Sequence, residues 1–479
     1  MSIRITSLYI FVVILSVYAW KDWFKSLCGL ILLMAVIQHE DMPTSVLGIQ
    51  GLNPWNILFL GIFLAWLVNR HREGLTWDMP RHMSVLLLMY LSVIAVGFMW
   101  AVFDRSYIED YPLGSLISEE LINTIKWTLP GLLLFDGCRT RRRVIMVLVC
   151  LLAMYFLISV QVIKRMPFES ALGGGGSDIQ RTRLKVCSSI GYSACDMSTM
   201  LAGASWGIAA VLLLVRKKKY KAMVLISVCI VAFGQALTGG RAGYAAWAAT
   251  GLILCLLKWR KQLLLAPVAV MLLPIVLPGV VDRMLYGFGE TDVSGQTTVN
   301  DYEVTSGRML IWPHVIDKIG ESPLVGHGRL AMNRTGLTEY LGQEYGEAEA
   351  FPHPHNMYLE TLLDNGVLGS IPIFLFWVMI VIYSARLFRS GNHLYSAVGG
   401  LALSLMLAQL FAGIGSQHFY PRESTLGMWV AIFLSLRVYA EEKRVKMCAI
   451  IAASPRDEPL LQQQAAIASV YTHGTAARW

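Results

Sequence analysis

Charge is what this chain has least of. Only 15% of its 479 residues are charged, against roughly 25% in a soluble globular domain. The deficit comes from repeated apolar runs, which make 55% of the chain hydrophobic. Such a pattern reads as a polytopic, all-α membrane protein. Other absences narrow the chemistry. There is no GxxxxGKS/T and no HExxH, and the longest polar segment has no GxSxG, so no phosphate-cradling loop or zinc helix is encoded, and no nucleophile elbow on that segment. The longest polar segment carries no DxD pair, which argues against a Mg-dependent sugar-nucleotide transferase. Eight cysteines form no CxxC and no Cys/His metal spacing. A small-residue cleavage pattern is missing after the first apolar run, where Lys21-Asp22-Trp23-Phe24-Lys25 follows, so the first segment is expected to stay.

The formal charge of +8 does not point to nucleic acid. The cations gather in short loops between apolar runs, as in Arg139 to Arg143, Arg216-Lys217-Lys218-Lys219 and Lys258-Trp259-Arg260-Lys261. That is the positive-inside pattern. It predicts loops 70–82, 138–143, 216–221, 258–261 and 386–395 in the cytoplasm, and 39–54, 103–120, 164–198, 282–358 and 415–424 outside. The runs total about 12–13 spans, depending on whether residues 6–20 cross fully. The implied organisation is N-terminal transmembrane helices over 1–281, one large helical extracytoplasmic segment over 282–366, C-terminal transmembrane helices over 367–440, and a cytoplasmic tail over 441–479 whose end is compositionally disordered. Gly173-Gly174-Gly175-Gly176-Ser177 reads as a flexible linker. Cys187 and Cys195 share one outer loop, where they either close a short disulfide beside Gly191 or stand as two free thiols.

Three polar groups interrupt the apolar pattern at the outer face. Thr238-Gly239-Gly240-Arg241-Ala242-Gly243 joins two apolar runs with almost no loop. Its glycines permit close backbone approach, and the Arg241 fork suits phosphate oxygens. A snorkelling interfacial arginine would need no such glycines. Ser306-Gly307-Arg308 places a second arginine at the start of a predicted helix, with Trp312 one turn later; a solvated surface arginine is the bland alternative. Phe351-Pro352-His353-Pro354-His355-Asn356 sets two histidines on a proline-stiffened turn before an apolar helix. A histidine there could accept a proton from an attacking hydroxyl, with Glu360, Asp364 or Asn356 orienting the ring. The bland alternative is a pair of surface loop histidines. His314, His327, Arg329 and Arg334 are lower candidates in the same segment, and Lys126 is read as snorkelling.

The order GGRAG, SGR with its tryptophan, Pro323-Leu324-Val325-Gly326-His327-Gly328, then the His-Pro-His-Asn turn running into Asp364-Asn365-Gly366-Val367-Leu368-Gly369, resembles the bacterial O-antigen ligase and O-antigen polymerase superfamily. The segment Leu47 to Asn56 is similar as well. The resemblance implies an inverting, metal-independent glycosyltransferase of surface polysaccharide assembly, with no cofactor. It implies a multi-pass protein of the bacterial inner membrane, with its active site facing the periplasm. The donor would be a glycan on undecaprenyl diphosphate, and the acceptor a glycan or a lipid-linked hydroxyl. Membrane lipids and other polysaccharide assembly proteins are the remaining partners expected. Carried over, Arg241 and Arg308 hold the diphosphate and His355 is the catalytic histidine, with His353, Asn356, His327 and Arg329 as further site candidates. An exopolysaccharide or O-unit polymerase is the reading favoured at this stage. Ligation of O-antigen to lipid A-core is the alternative within the family. A small-anion transporter is the alternative outside it, and predicts ionisable residues near mid-membrane.

Overall fold

The structure is a computed structural model that describes residues 3–453, apart from 47–50, 174–175, 287–289, 292–296, 299–304, 347–350 and 417. The tail beyond 453, and most of the Gly/Thr/Ser-rich stretch after Tyr286, lie outside the described residues. The architecture is helical, with one short antiparallel pairing of Glu290–Thr291 with Thr297–Thr298. By length and apolarity five described helices suffice to cross a membrane: Arg81–Phe103, Arg141–Arg165, Lys218–Leu237, Met357–Phe388 and His393–Ala412. A sixth is the pair Arg260–Val276 and Pro278–Leu285, bent by 100°. The polytopic all-α expectation therefore holds. The number of full-length spans is smaller than the number of apolar runs because several runs fold as shorter helices. Residues 3–19 form the helix Ile3–Ala19, which turns at once into Trp23–Leu33, and the run around residue 130 gives only Leu129–Gly137.

Local sequence explains where these helices begin. Asn53, Thr140, Ser193, Asn356 and Asn392 each accept a backbone N–H of the first turn with a side-chain oxygen, which satisfies a donor the helix itself leaves open. The helix His393–Ala412 is the axis of the bundle. It packs against Ala194–Val211, Arg241–Leu257 and Met357–Phe388. Small residues permit the close approach: a Cβ on Gly203 would stand 2.7 Å from the Leu405 Cα. Close packing through glycine is how helices associate where lipid removes the hydrophobic drive between them.

The two ends of the bundle differ in chemistry. At one end the basic loops meet. Arg139 and Arg437 both pair with Asp78, at 2.8 and 2.6 Å. Arg70 pairs with buried Asp136 at 2.8 Å, and the Lys258 ammonium donates to the Phe388 carbonyl at 2.8 Å. The helices Arg241–Leu257 and Met357–Phe388 start at the opposite end, where the arginines and histidines lie.

Cys187 and Cys195 are free thiols, and Cys187 is buried. Gly191 serves close packing instead of a disulfide loop, since a Cβ there would meet the Gln38 carbonyl oxygen at 1.8 Å. Gly174 and Gly175, the centre of the expected linker, lie outside the described residues; Gly173 ends Phe168–Gly173, and Gly176 opens Gly176–Ile190.

Candidate active site

Arg241 is the first residue of its helix, after Gly239 in left-handed backbone (φ +65°) and the N-cap Gly240. Its guanidinium donates to the Tyr286 carbonyl and to the Ser306 hydroxyl, both at 2.9 Å. Ser306 stands two residues before Arg308, so the two arginines predicted from distant motifs share one corner. Arg308 opens the helix Arg308–Glu321, behind a left-handed Gly307. It donates to the Thr305 carbonyl at 2.8 Å. Its Nε has no hydrogen-bond partner among the described residues. Burial first, and the neighbouring cations Arg241 and Arg183 after it, push the Arg308 pKa down. Arg183 was not foreseen from sequence; its only signal is a basic side chain in a predicted outer loop.

The helix that begins at Arg308 also holds the histidine turn. The Trp312 indole N–H donates to the Pro354 carbonyl at 3.0 Å. His355 follows with φ +52°, a left-handed conformation that costs a non-glycine residue about 1 kcal/mol or more. Its ring lies edge-on to Phe351 at 4.8 Å and 4.2 Å from the ring of His353. The His355 Nδ1 is buried without a partner among the described residues. Burial, then His353 and Arg308, lower the His355 pKa to about 3. Burial and then His418 lower that of His353 to about 4. Both rings are therefore neutral at physiological pH, the form that can accept a proton.

The ring-orienting residues expected from sequence are engaged elsewhere. Asn356 caps its own helix, accepting from the Tyr358 and Leu359 amides at 3.0 and 3.2 Å. Asp364 accepts from the Tyr420 hydroxyl at 2.8 Å. Glu360 hydrogen-bonds to the Nδ1 of His418. That histidine, missed from sequence, continues the file: its ring is 4.9 Å from His353. The signal was present, because residues 418–423 form a short polar loop between two apolar runs, as GGRAG does.

The other candidates of the outer segment are engaged by protein partners. His327 Nε2 bonds to the Lys318 carbonyl at 2.9 Å, and its backbone N–H to the Leu363 carbonyl at 2.8 Å. Arg329 pairs with Glu120 at 2.6 Å and Asp364 at 3.7 Å, above the Tyr420 ring. Arg334 pairs with Asp104 at 2.6 Å, and His314 meets the Tyr345 hydroxyl at 3.0 Å. Lys126 does not simply snorkel: its ammonium reaches Asn56 and Asn123 and lies over Trp127. The helix Met357–Phe388 breaks at Gly366 (φ 57°, ψ −170°), and Pro323 to Gly328 threads across the break. Val367 and Leu368 donate to the Pro323 and Leu324 carbonyls. A Cβ on Gly326 would sit 2.5 Å from the Gly366 nitrogen. The two glycine motifs thus lock together as backbone against backbone.

Comparison with known proteins agrees with these motifs. Residues 223–374 match the family model described as O-antigen ligase. That stretch contains Arg241, Arg308, the histidine turn and the Gly366 break. A Rickettsia conorii protein with a provisional polysaccharide-ligase name is 22% identical over 50% of this chain and 56% of its own length. The ComP-specific O-oligosaccharyltransferase of Acinetobacter baylyi is 25% identical over 39% of this chain and 34% of its own. An uncharacterised Haemophilus influenzae protein is 23% identical over 43% of this chain and 55% of its own. The chain thus spans about half, or less, of the length of the curated relatives it matches. Through residues 223–374 and the motifs they carry, this multi-pass membrane protein is similar to the O-antigen ligase superfamily.

Proposed function

We propose that the protein is an inverting glycosyltransferase that moves a glycan from a polyprenyl diphosphate, of the undecaprenyl type, to an acceptor hydroxyl. One observation carries the reading: Arg241 reaches Ser306 beside Arg308, and the same helix is tied through Trp312 to the turn that holds His355. An anion-binding pair and a neutral base are thereby fixed to one rigid element. His355 accepts the proton of the acceptor hydroxyl, the oxygen attacks the anomeric carbon, and the bond to the diphosphate breaks. The guanidinium groups offset the charge that gathers on the leaving diphosphate, so no metal ion is required for that role.

A pKa near 3 makes a weak base at neutral pH. Arg308 is one cause of that low value, and a diphosphate seated beside it would oppose its field. Donor binding then raises the His355 basicity just where the reaction needs it. His353, in ring contact, is the neighbouring candidate.

The names of the relatives favour transfer of an assembled glycan over repeat-unit polymerisation, which was the reading favoured from sequence. Lipid A-core is one acceptor of that kind. The transporter reading loses support, because buried Glu360 and Asp364 lie in the helix turns before the Gly366 break and are engaged by His418 and Tyr420. In this scheme the arginine–histidine end faces the periplasm of the inner membrane, and the basic loops face the cytoplasm. Purified full-length protein given a lipid-linked glycan and acceptor, with a chelator present, should transfer glycan. Transfer that needs added Mg or Mn, or that survives in His355→Ala, would overturn the mechanism.

A further inference from the structure

Beyond the file of histidines lies a cavity of about 320 Å³, walled by Glu119, Asn123, Trp127, Arg329, His418 and Glu423. Arg422 completes the wall. We propose that this cavity is the acceptor subsite and that its ligand is a neutral or cationic glycan presenting several hydroxyls; the proposal rests on the glycan-transfer reading above.

Three observations point there. The first is position. The rings run His355, His353, His418 at centroid spacings of 4.2 and 4.9 Å. Arg308 adjoins one end of this file and the cavity adjoins the other, so a base in the file has the anion corner on one side and the cavity on the other.

The second is charge. The far corner gathers Arg183, Arg241 and Arg308 around Arg283 and suits a diphosphate. In the cavity the two arginines are already matched. Arg329 lies between Glu120 and Asp364, and Arg422 pairs with Asp196 at 2.5 Å. Glu423, the Glu119 carboxylate (which also accepts from the Tyr111 hydroxyl at 2.6 Å) and the Asn123 amide (whose oxygen also accepts from Lys126 at 2.8 Å) supply the hydrogen-bonding groups. Carboxylates and an amide hydrogen-bond sugar hydroxyls. A second diphosphate would be repelled.

The third is architecture. The wall from Ile117 to Asn123 is a π-helical stretch, a wide turn that alters which side chains a helix presents and that recurs at functional sites. Six of the seven wall residues named above lie outside the stretch 223–374 that matches the O-antigen ligase family, whereas Arg241, Arg308 and His355 lie inside it. The common chemistry and the particular acceptor are thus encoded in different parts of the chain. His418, oriented through Nδ1 by Glu360, forms the partition between the cavity and the file.

The test uses full-length protein in lipid nanodiscs. The probes are undecaprenyl diphosphate for the anion corner and oligosaccharides released by mild acid from the source cells' own surface polysaccharide for the cavity. Saturation-transfer NMR or calorimetry reads binding directly, without turnover. Glu423→Gln keeps shape and removes charge, and Asn123→Trp fills the space. Both should weaken oligosaccharide binding by about ten-fold or more, the loss of one charged hydrogen bond, and leave undecaprenyl diphosphate binding unchanged. Oligosaccharide binding that is absent in the wild type, equal in the variants, or lost together with undecaprenyl diphosphate binding overturns the subsite. Wild-type protein that binds both probes selectively yet transfers no glycan overturns the transfer reading and leaves the subsite standing.

Discussion

Arg308 and His355 occupy one region of the outer segment, Arg329 and His327 another, and the same two residue types do opposite things. Arg329 is held between two carboxylates over a tyrosine ring. His327 is tied by its ring to the Lys318 carbonyl. Arg308 instead sits beside Arg241 and Arg183, with a buried Nε lacking a partner among the described residues. His355 carries a buried Nδ1 with no partner among the described residues and a left-handed backbone. Paired polar groups in low dielectric hold a structure together. Polar groups left unsatisfied there cost free energy and are retained where a ligand completes them. On the proposed function the first region binds the diphosphate, while the groups of the second are held by protein partners.

The sharpest contrast is between the histidines. His355→Ala should lower glycan transfer by about 10²–10⁴-fold, the usual worth of a general base, with insertion and thermal stability kept. His327→Ala should keep kcat and cost about 1 kcal/mol of stability, one hydrogen bond. Reversed outcomes would exchange the two roles.

Next come the arginines. Arg329→Gln leaves Glu120 and Asp364 facing each other without a full cation and should destabilise the protein by about 3–5 kcal/mol, visible as an earlier thermal transition in detergent. A transition unmoved by that change would remove Arg329 from the scaffold. Arg308→Gln relieves crowding among cations, so the transition should stay or rise. Transfer should nevertheless fall by about 10²–10³-fold. Arg308→Lys should recover little, since an ammonium lacks the guanidinium fork.

The smallest effect is in pH. Both site histidines titrate well below an ordinary histidine, at about 4 and about 3. Their folded forms bind fewer protons than the unfolded chain between those values and the unfolded value near 6.5. Their contribution to stability is therefore full above about pH 6.5 and declines as pH falls through that window. In the donor-free protein, NMR of labelled histidine should find His355 uncharged at about pH 5, and added undecaprenyl diphosphate should raise its pKa. A shift downward on binding would separate His355 from the diphosphate corner.

Much of this was legible in the chain. The scarcity of charge and the basic loops indicated a helical membrane protein with chemically distinct ends. GGRAG, SGR and the histidine turn stood out because polar residues and glycines interrupt apolar runs, and burying them without a partner is costly. The pairing of His327 and Arg329 with protein groups was not legible. Their partners, Lys318, Glu120 and Asp364, come from separate elements, and nothing local distinguishes them from Arg308 and His355. His418 was overlooked for a similar reason: one histidine in a short loop acquires meaning only when Glu360 and His353 are brought against it.

By itself the sequence determined the helices, their caps at Asn53, Thr140, Ser193, Asn356 and Asn392, the segregation of basic loops, and the motifs that mark the family. These follow from local rules of side-chain polarity, hydrogen bonding and backbone freedom. Tertiary structure alone decided which arginines meet carboxylates and which meet one another, that Cys187 and Cys195 stay apart, that the glycines at 326 and 366 interlock, and that a polar cavity opens beyond the third histidine. Each of these depends on contacts between distant segments, and the energy of a charge or a polar atom in a low-dielectric interior is set by the neighbour that packing supplies.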